Sequence, residues 1–285
     1  MLVVVLTGCQ SGGQTTDVDN RPVYSPATVD AFVASIGPNR IIELDPKVTY
    51  RLDQAQRGVS DFYVWINTHN EHNELVIRGC PGLTIRSAGP ELAHVATRFA
   101  YAYVLGFERC DNLELQSLKL GHAPDPGYCL GGVVKIKESQ DLLIKESLLY
   151  GCGTDGLLMK KVRGLRFEKS IIEDCTYGIL TASESRGLHF VDSVFRRNVE
   201  FYGFVFDNSV DIRFEQCFVL NNTLNTGFDS TPIFRTNLNV PEAEIIYIGG
   251  AITGNKAGAL ASPDGMFRAT KAVLKGNTFT PATER

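Results

Sequence analysis

The stretch GHAPDPGYCLGG, residues 121–132, brings His122, Asp125 and Tyr128 into one short segment. All three can move protons or bind sugar hydroxyls. Asp155 follows in Gly151-Cys-Gly-Thr-Asp-Gly156, and Lys135, Lys137 and Lys160 lie close by in sequence. In this set His122 or Tyr128 would transfer a proton, with Asp125 and Asp155 beside them. A lysine would stabilise an enolate-like intermediate or hold a carboxylate. The expected catalytic residues are therefore His122, Asp125, Tyr128 and Asp155, and the expected substrate-binding residues are Lys135, Lys137 and Lys160. A plainer reading competes with this one. Pro-Asp-Pro-Gly and Asp155-Gly156 are turn chemistry, and outward lysines commonly form a solvated face that blocks aggregation. The sequence has no metal-ligand spacing, and no metal or cofactor is expected.

The elements that must hold these groups repeat. Cys80-Pro-Gly-Leu-Thr-Ile, Cys110-Asp-Asn-Leu-Glu-Leu, Ser139-Gln-Asp-Leu-Leu-Ile, Val162-Arg-Gly-Leu-Arg-Phe, Ser185-Arg-Gly-Leu-His-Phe and Ser209-Val-Asp-Ile-Arg-Phe superimpose, at steps of 30, 29, 23, 23 and 24 residues. Such a period with short alternating strands predicts a coiled solenoid. Strand side chains alternate faces, so three inward columns follow. They run Leu75, Leu105, Val134, Leu157, Leu180, Phe204; Ile77, Phe107, Ile136, Met159, Ala182, Phe206; and Leu83, Leu113, Leu142, Leu165, Leu188, Ile212. Two outward columns carry charge: Arg78, Glu108, Lys137, Lys160, Ser183, Asp207, and Arg166, His189, Arg213. Return segments such as Ser170-Ile-Ile-Glu-Asp-Cys-Thr-Tyr-Gly178 are again strand-like, which predicts three short strands per coil. The stretch between Leu120 and Val133 expands one coil by about a half-dozen residues, and solenoid insertions map to loops on one face, often the binding face.

This pattern resembles the right-handed parallel β-helix, the pectin-lyase-like superfamily, over roughly residues 40 to 280. Asn198 and Asn222 each stand eight residues after an inward phenylalanine (Phe190, Phe214) and resemble the asparagine ladder of that fold. Cys152 and Cys175 share one column, and Cys80 and Cys110 another. Stacked free thiols are the favoured reading, and a Cys152–Cys175 disulfide is sterically conceivable. Ser25-Pro26 opens a helix with an apolar stripe at Val29, Phe32, Val33 and Ile36, ended by Gly37, which would cap the solenoid. Arg40-Ile-Ile-Glu-Leu44 then starts the first coil.

The family's catalytic motifs are met only in part. Pectate lyases carry W-I-D-H and Ca²⁺-binding aspartates, where this chain has Val64-Trp-Ile-Asn-Thr-His69 without the aspartate. Polygalacturonases carry N-T-D, D-D, G-H-G and R-I-K. Here Gly121-His-Ala and Lys135-Ile-Lys137 echo the last two, but the aspartates for a glycosidase acid–base pair are missing.

Leu6-Thr-Gly-Cys9 resembles a bacterial lipobox, although the apolar run before it is short and carries no basic residue. The expected organisation is a signal segment over residues 1–9, a tether over 10–24, and a single β-helix domain with an N-terminal helical cap over 25–285. Acylation of Cys9 would anchor the protein to the cell envelope, at the outer membrane in a Gram-negative cell. No run of about 18 apolar residues offers a spanning helix. The 285 residues are 44% hydrophobic, enough for one sizeable core, and the net charge of −4 speaks against a nucleic-acid partner. The expected protein is a monomeric surface lipoprotein that binds a polysaccharide, acidic ones included, with lyase- or epimerase-like processing as an extension. The alternative is a non-catalytic structural or adhesion module. Whether the chain is an enzyme stays open at this stage.

Overall fold

A computed structural model describes residues 19–69, 72–123, 129–151, 153–224, 231–237 and 243–280. Among these, the chain winds into a solenoid with three long sheets. The first sheet has ten strands, from Val23–Tyr24 through Gln140–Lys145 to Phe267–Thr270. The second has nine, from Thr49–Arg51 through Leu118–His122 to Val273–Lys275. The third also has nine, and runs from the hairpin Tyr63–His69/His72–Arg78 through Val134–Lys137 and Asp155–Lys160 to Ala259–Ser262. Three strands per coil is the expected count. A fourth, short sheet joins later coils at one corner, through Val199–Glu200, Thr223–Leu224, Lys256–Ala257 and Thr278–Phe279.

Registers reproduce the columns. Val134 pairs with Leu105 and Leu157, Leu180 with Phe204, and Leu165 with Leu142 and Leu188, all in parallel strands. Only the Tyr63–His69/His72–Arg78 hairpin is antiparallel among the described pairs. The inward side chains are buried and stack from coil to coil. Phe190 lies 4.5 Å from Phe214, Phe204 4.8 Å from Phe234, and Phe234 4.7 Å from Phe267, measured between ring centroids. These spacings equal the distance between neighbouring strands, so each ring covers the one below.

The corners are held by ladders of small polar side chains. Asn198 Nδ2 donates to Asn222 Oδ1, and Asn222 Nδ2 to Asn255 Oδ1, each at 2.9 Å. Asn277 extends the row, accepting from Asn255 Nδ2 at 2.9 Å. At another corner Ser147 N donates to Ser170 Oγ at 3.0 Å, and Ser170 N to Ser193 Oγ at 3.2 Å. Buried turn amides would otherwise go unpaired, at a cost of about 1–3 kcal/mol each. Cys80, Cys110, Cys129, Cys175 and Cys217 are buried free thiols. Cys152 lies outside the described residues.

The capping helix, α1, spans Val29–Ala34, and Phe32 and Val33 are buried on the first coil. Its N-cap is Thr28, not the expected Ser25: Thr28 Oγ1 accepts from Ala31 N at 3.2 Å. The reason lies in Pro26, whose carbonyl accepts the buried Tyr50 hydroxyl at 2.7 Å and so ties the segment to the coil. Ser35, two residues before Gly37, closes the helix. Val23–Tyr24, at the end of the expected tether, pairs with Ile41–Ile42 as the first strand of the first sheet. Among the described residues no helix is long and apolar enough to cross a membrane.

Candidate functional site

The outer face of the third sheet carries two parallel rows of side chains. One row, set by register, contains Val76, Gly106, Lys135, Leu158, Thr181, Val205 and Arg235. The next contains Arg78, Glu108, Lys137, Lys160, Ser183 and Asp207. Asp155 opens its strand on the same sheet, opposite Gly178, which in turn pairs with Tyr202.

Asp155 is nearly buried and its carboxylate accepts the Thr181 hydroxyl at 2.6 Å. It occupies space that Gly178 leaves open: a Cβ at Gly178 would meet Asp155 Oδ1 at 2.7 Å. Burial raises the pKa of this carboxyl, with the Thr181 hydrogen bond opposing in part. The Asp155 proton is thus held to a higher pH than that of an ordinary carboxyl. Beside it, Tyr177 packs on Phe201 at 4.8 Å and on Tyr202 at 5.4 Å. The Tyr177 and Phe201 rings remain 37% and 41% exposed. The Arg235 guanidinium lies over the Tyr202 ring at 5.2 Å. Toward the N-terminal end, Tyr101 meets His69 edge to face at 4.7 Å, and His72 stacks with Phe99 at 5.2 Å.

Two of the expected site residues are enclosed or engaged in this geometry. His122 ends its strand in the second sheet and is only 2% exposed. Its Nε2 contacts the Gly132 carbonyl at 3.0 Å, and Nδ1 has no partner. Burial lowers its pKa, so the ring is neutral at pH 7 and has no path to a substrate on the surface. The ring lies where its strand ends in the second sheet, against the Gly132 backbone. Lys135 is not a free carboxylate holder either. It is ion-paired to the buried Glu74 and stands over the Tyr103 ring at 4.8 Å. Tyr103 in turn lies where a side chain at Gly132 would stand.

Lys137 and Lys160 do point to solvent on this face, and Lys160 Nζ lies 4.0 Å from Glu184. Lys135 and Asp155 do not touch through register alone. Lys135 pairs with Leu158, three residues along the strand from Asp155, or about 10 Å away. Asp125, Tyr128 and Cys9 lie outside the described residues.

Sequence reasoning missed Glu74, Tyr103, Thr181, Tyr177, Phe201 and Arg235. Two columns would have found some of them. Positions four before each repeat's reference residue include Lys135 and Thr181, and positions seven before it include Tyr103, Asp155 and Tyr202. A separate shallow groove of about 470 Å³ lies at the corner between the third and first sheets, lined by Asp111, Glu138, Gln140, Lys161, Arg163 and Glu184. Its charges alternate in sign, and none of the expected site residues lines it. No cluster of metal ligands occurs among the described residues.

Residues 127–279 match the family described as right handed beta helix region. No curated protein matches the sequence. Among solved structures, the chain is similar to pectin methylesterase PemA from Erwinia chrysanthemi, at 10% identity and a TM-score of 0.52, over 90% of this chain and 89% of that one. It is similar at 10% identity and a TM-score of 0.51 to a pectin methylesterase variant in complex with a hexasaccharide, over 93% of both chains. At this identity the likeness is one of fold.

Proposed function

The chain belongs to the right-handed β-helix family, and from that premise we propose that it binds an extracellular polysaccharide along the outer face of the third sheet. The observation that carries this reading is the exposed Tyr177–Phe201 pair beside the recessed Asp155. Aromatic faces pack on the apolar sides of sugar rings, while carboxyl and hydroxyl groups bond the sugar hydroxyls. A protein of similar fold has been solved with a hexasaccharide bound. Acidic glycans would meet Arg235, Lys137 and Lys160 rather than the neutralised Lys135. The protein acts as a monomer, held to the cell envelope by acylated Cys9.

Processing of the glycan, by β-elimination or epimerisation, would fall to Asp155 as the proton-transfer group, because burial keeps its carboxyl protonated above the usual range. A second reading, a non-catalytic envelope module, draws its support from the burial of His122 and the Glu74-held Lys135. The first removes an expected proton-transfer group from the surface, and the second occupies an expected carboxylate-binding lysine.

The test is a screen of the full chain carrying Cys9→Ala against acidic and neutral polysaccharides, reading binding together with absorbance from unsaturated products. Tyr177→Ala is expected to weaken binding about fivefold, as loss of one stacked ring costs about 1 kcal/mol. Absorbance abolished by Asp155→Asn would establish the lyase. Silence on every glycan, or binding indifferent to Tyr177→Ala, would leave the envelope module standing.

A further inference from the structure

The last described coil differs from the rest. Leu274 and Phe279 pair in register with the buried Ile252 and Ala257, so both sit on the inward side. Yet they are 49% and 40% exposed, and the neighbouring Val273 is 54% exposed. Val273 also ends an outward row on the second sheet that is apolar over six successive strands: Leu148, Ile171, Val194, Phe218, Ala251 and Val273. Charge is distributed as unevenly as apolar surface. Residues 251–280 carry Lys256, Arg268, Lys271 and Lys275 against Asp264 alone, in a chain whose net charge is −4. Arg268 is engaged by Glu244 at 2.8 Å, whereas Lys256, Lys271 and Lys275 lie exposed at the margin of the coil. The result is an apolar centre inside a basic rim.

We propose that this end of the solenoid docks on an anionic lipid surface. Val273, Leu274 and Phe279 would enter the interfacial region, and Lys256, Lys271 and Lys275 would meet the headgroups. Apolar insertion together with basic contacts is the combination that holds peripheral proteins on anionic bilayers. Charge selects this occupant over a second copy of the chain, since a tail-to-tail pair would bring the two sets of lysines together. Docking here is compatible with an anchor at Cys9. The first and last strands of the first sheet are nine spacings apart, about 43 Å. The residues between Cys9 and Val23 reach about as far when extended.

The experiment is co-sedimentation of the full chain carrying Cys9→Ala with vesicles of phosphatidylcholine alone or with one third phosphatidylglycerol. Binding is expected only to the anionic vesicles and should fall as salt rises. Lys271→Glu with Lys275→Glu should weaken it about tenfold or more, and Val273→Ser should weaken it with the charge intact. Unchanged thermal melting would show that these variants fold. The proposal is overturned by equal binding to neutral vesicles, by indifference to the charge reversal, or by no binding at all. It is also overturned by a dimer, seen by light scattering, that buries this end. The glycan screen reads a different surface, so either proposal can fail alone.

Discussion

The corner at His122 and the face at Asp155 belong to adjoining coils, yet they treat an ionisable side chain in opposite ways. His122 is enclosed and neutral, with one nitrogen on the Gly132 carbonyl. Asp155 is recessed but opens onto a surface of tyrosines, with a threonine hydroxyl as its partner. A catalytic group needs both a perturbed environment and a route to substrate. The corner supplies the first alone, whereas the proposed reading requires the face to supply both. Similar chemistry in the sequence therefore does not make the two positions equivalent.

The largest test of this contrast is His122→Ala. Emptying the corner should destabilise the protein by about 2–4 kcal/mol, as for other large buried side chains. Glycan binding by the remaining folded protein should be unchanged. A variant of full stability that had lost glycan binding would break the contrast and return His122 to the site.

The pH dependence of stability should separate the two groups next. The folded pKa of His122 lies below its unfolded value of about 6.5, so the unfolded chain binds the extra proton. Stability from this group should fall as pH drops from about 6.5 toward the folded pKa. Asp155 behaves in the opposite sense. Its folded pKa is raised, so stability should decline as pH rises from about 3.9 through the folded value. Melting curves of the wild type and Asp155→Asn across acid to neutral pH would show the second trend disappear in the variant. Identical profiles would mean that Asp155 is solvated like an ordinary carboxylate.

The smallest effect is expected at the exposed lysines. Lys137→Ala and Lys160→Ala should each change stability by less than about 0.5 kcal/mol. Their effect on binding should appear only with acidic glycans. A comparable loss with neutral glycans would show that these side chains do more than attract charge.

Much of the scaffold was legible before any coordinates. Leu142, Leu165, Leu188 and Ile212 fall in one register because strand alternation and stacking of near-equal repeats are periodic constraints, and periodicity is written along the chain. The Asn198–Asn222 pair was legible for the same reason, and Asn255 and Asn277 continue it. The site was less legible. Lys135 looked like a free cation because Glu74, its partner, stands 61 positions earlier. His122 looked like a loop residue because it borders a Pro- and Gly-rich stretch, although its own strand pairs with Ala93–Thr97 as far as Thr97.

The amino-acid sequence by itself determined the coil, its three faces and the residues of its core, since each follows from spacing within a single repeat. Only the tertiary structure decided which outward side chains meet. That depends on how far a side chain reaches across neighbouring coils of unequal length, and on where glycines such as Gly132 and Gly178 leave room for Tyr103 and Asp155 to lie. Such meetings carry no period, so no pattern along the chain records them.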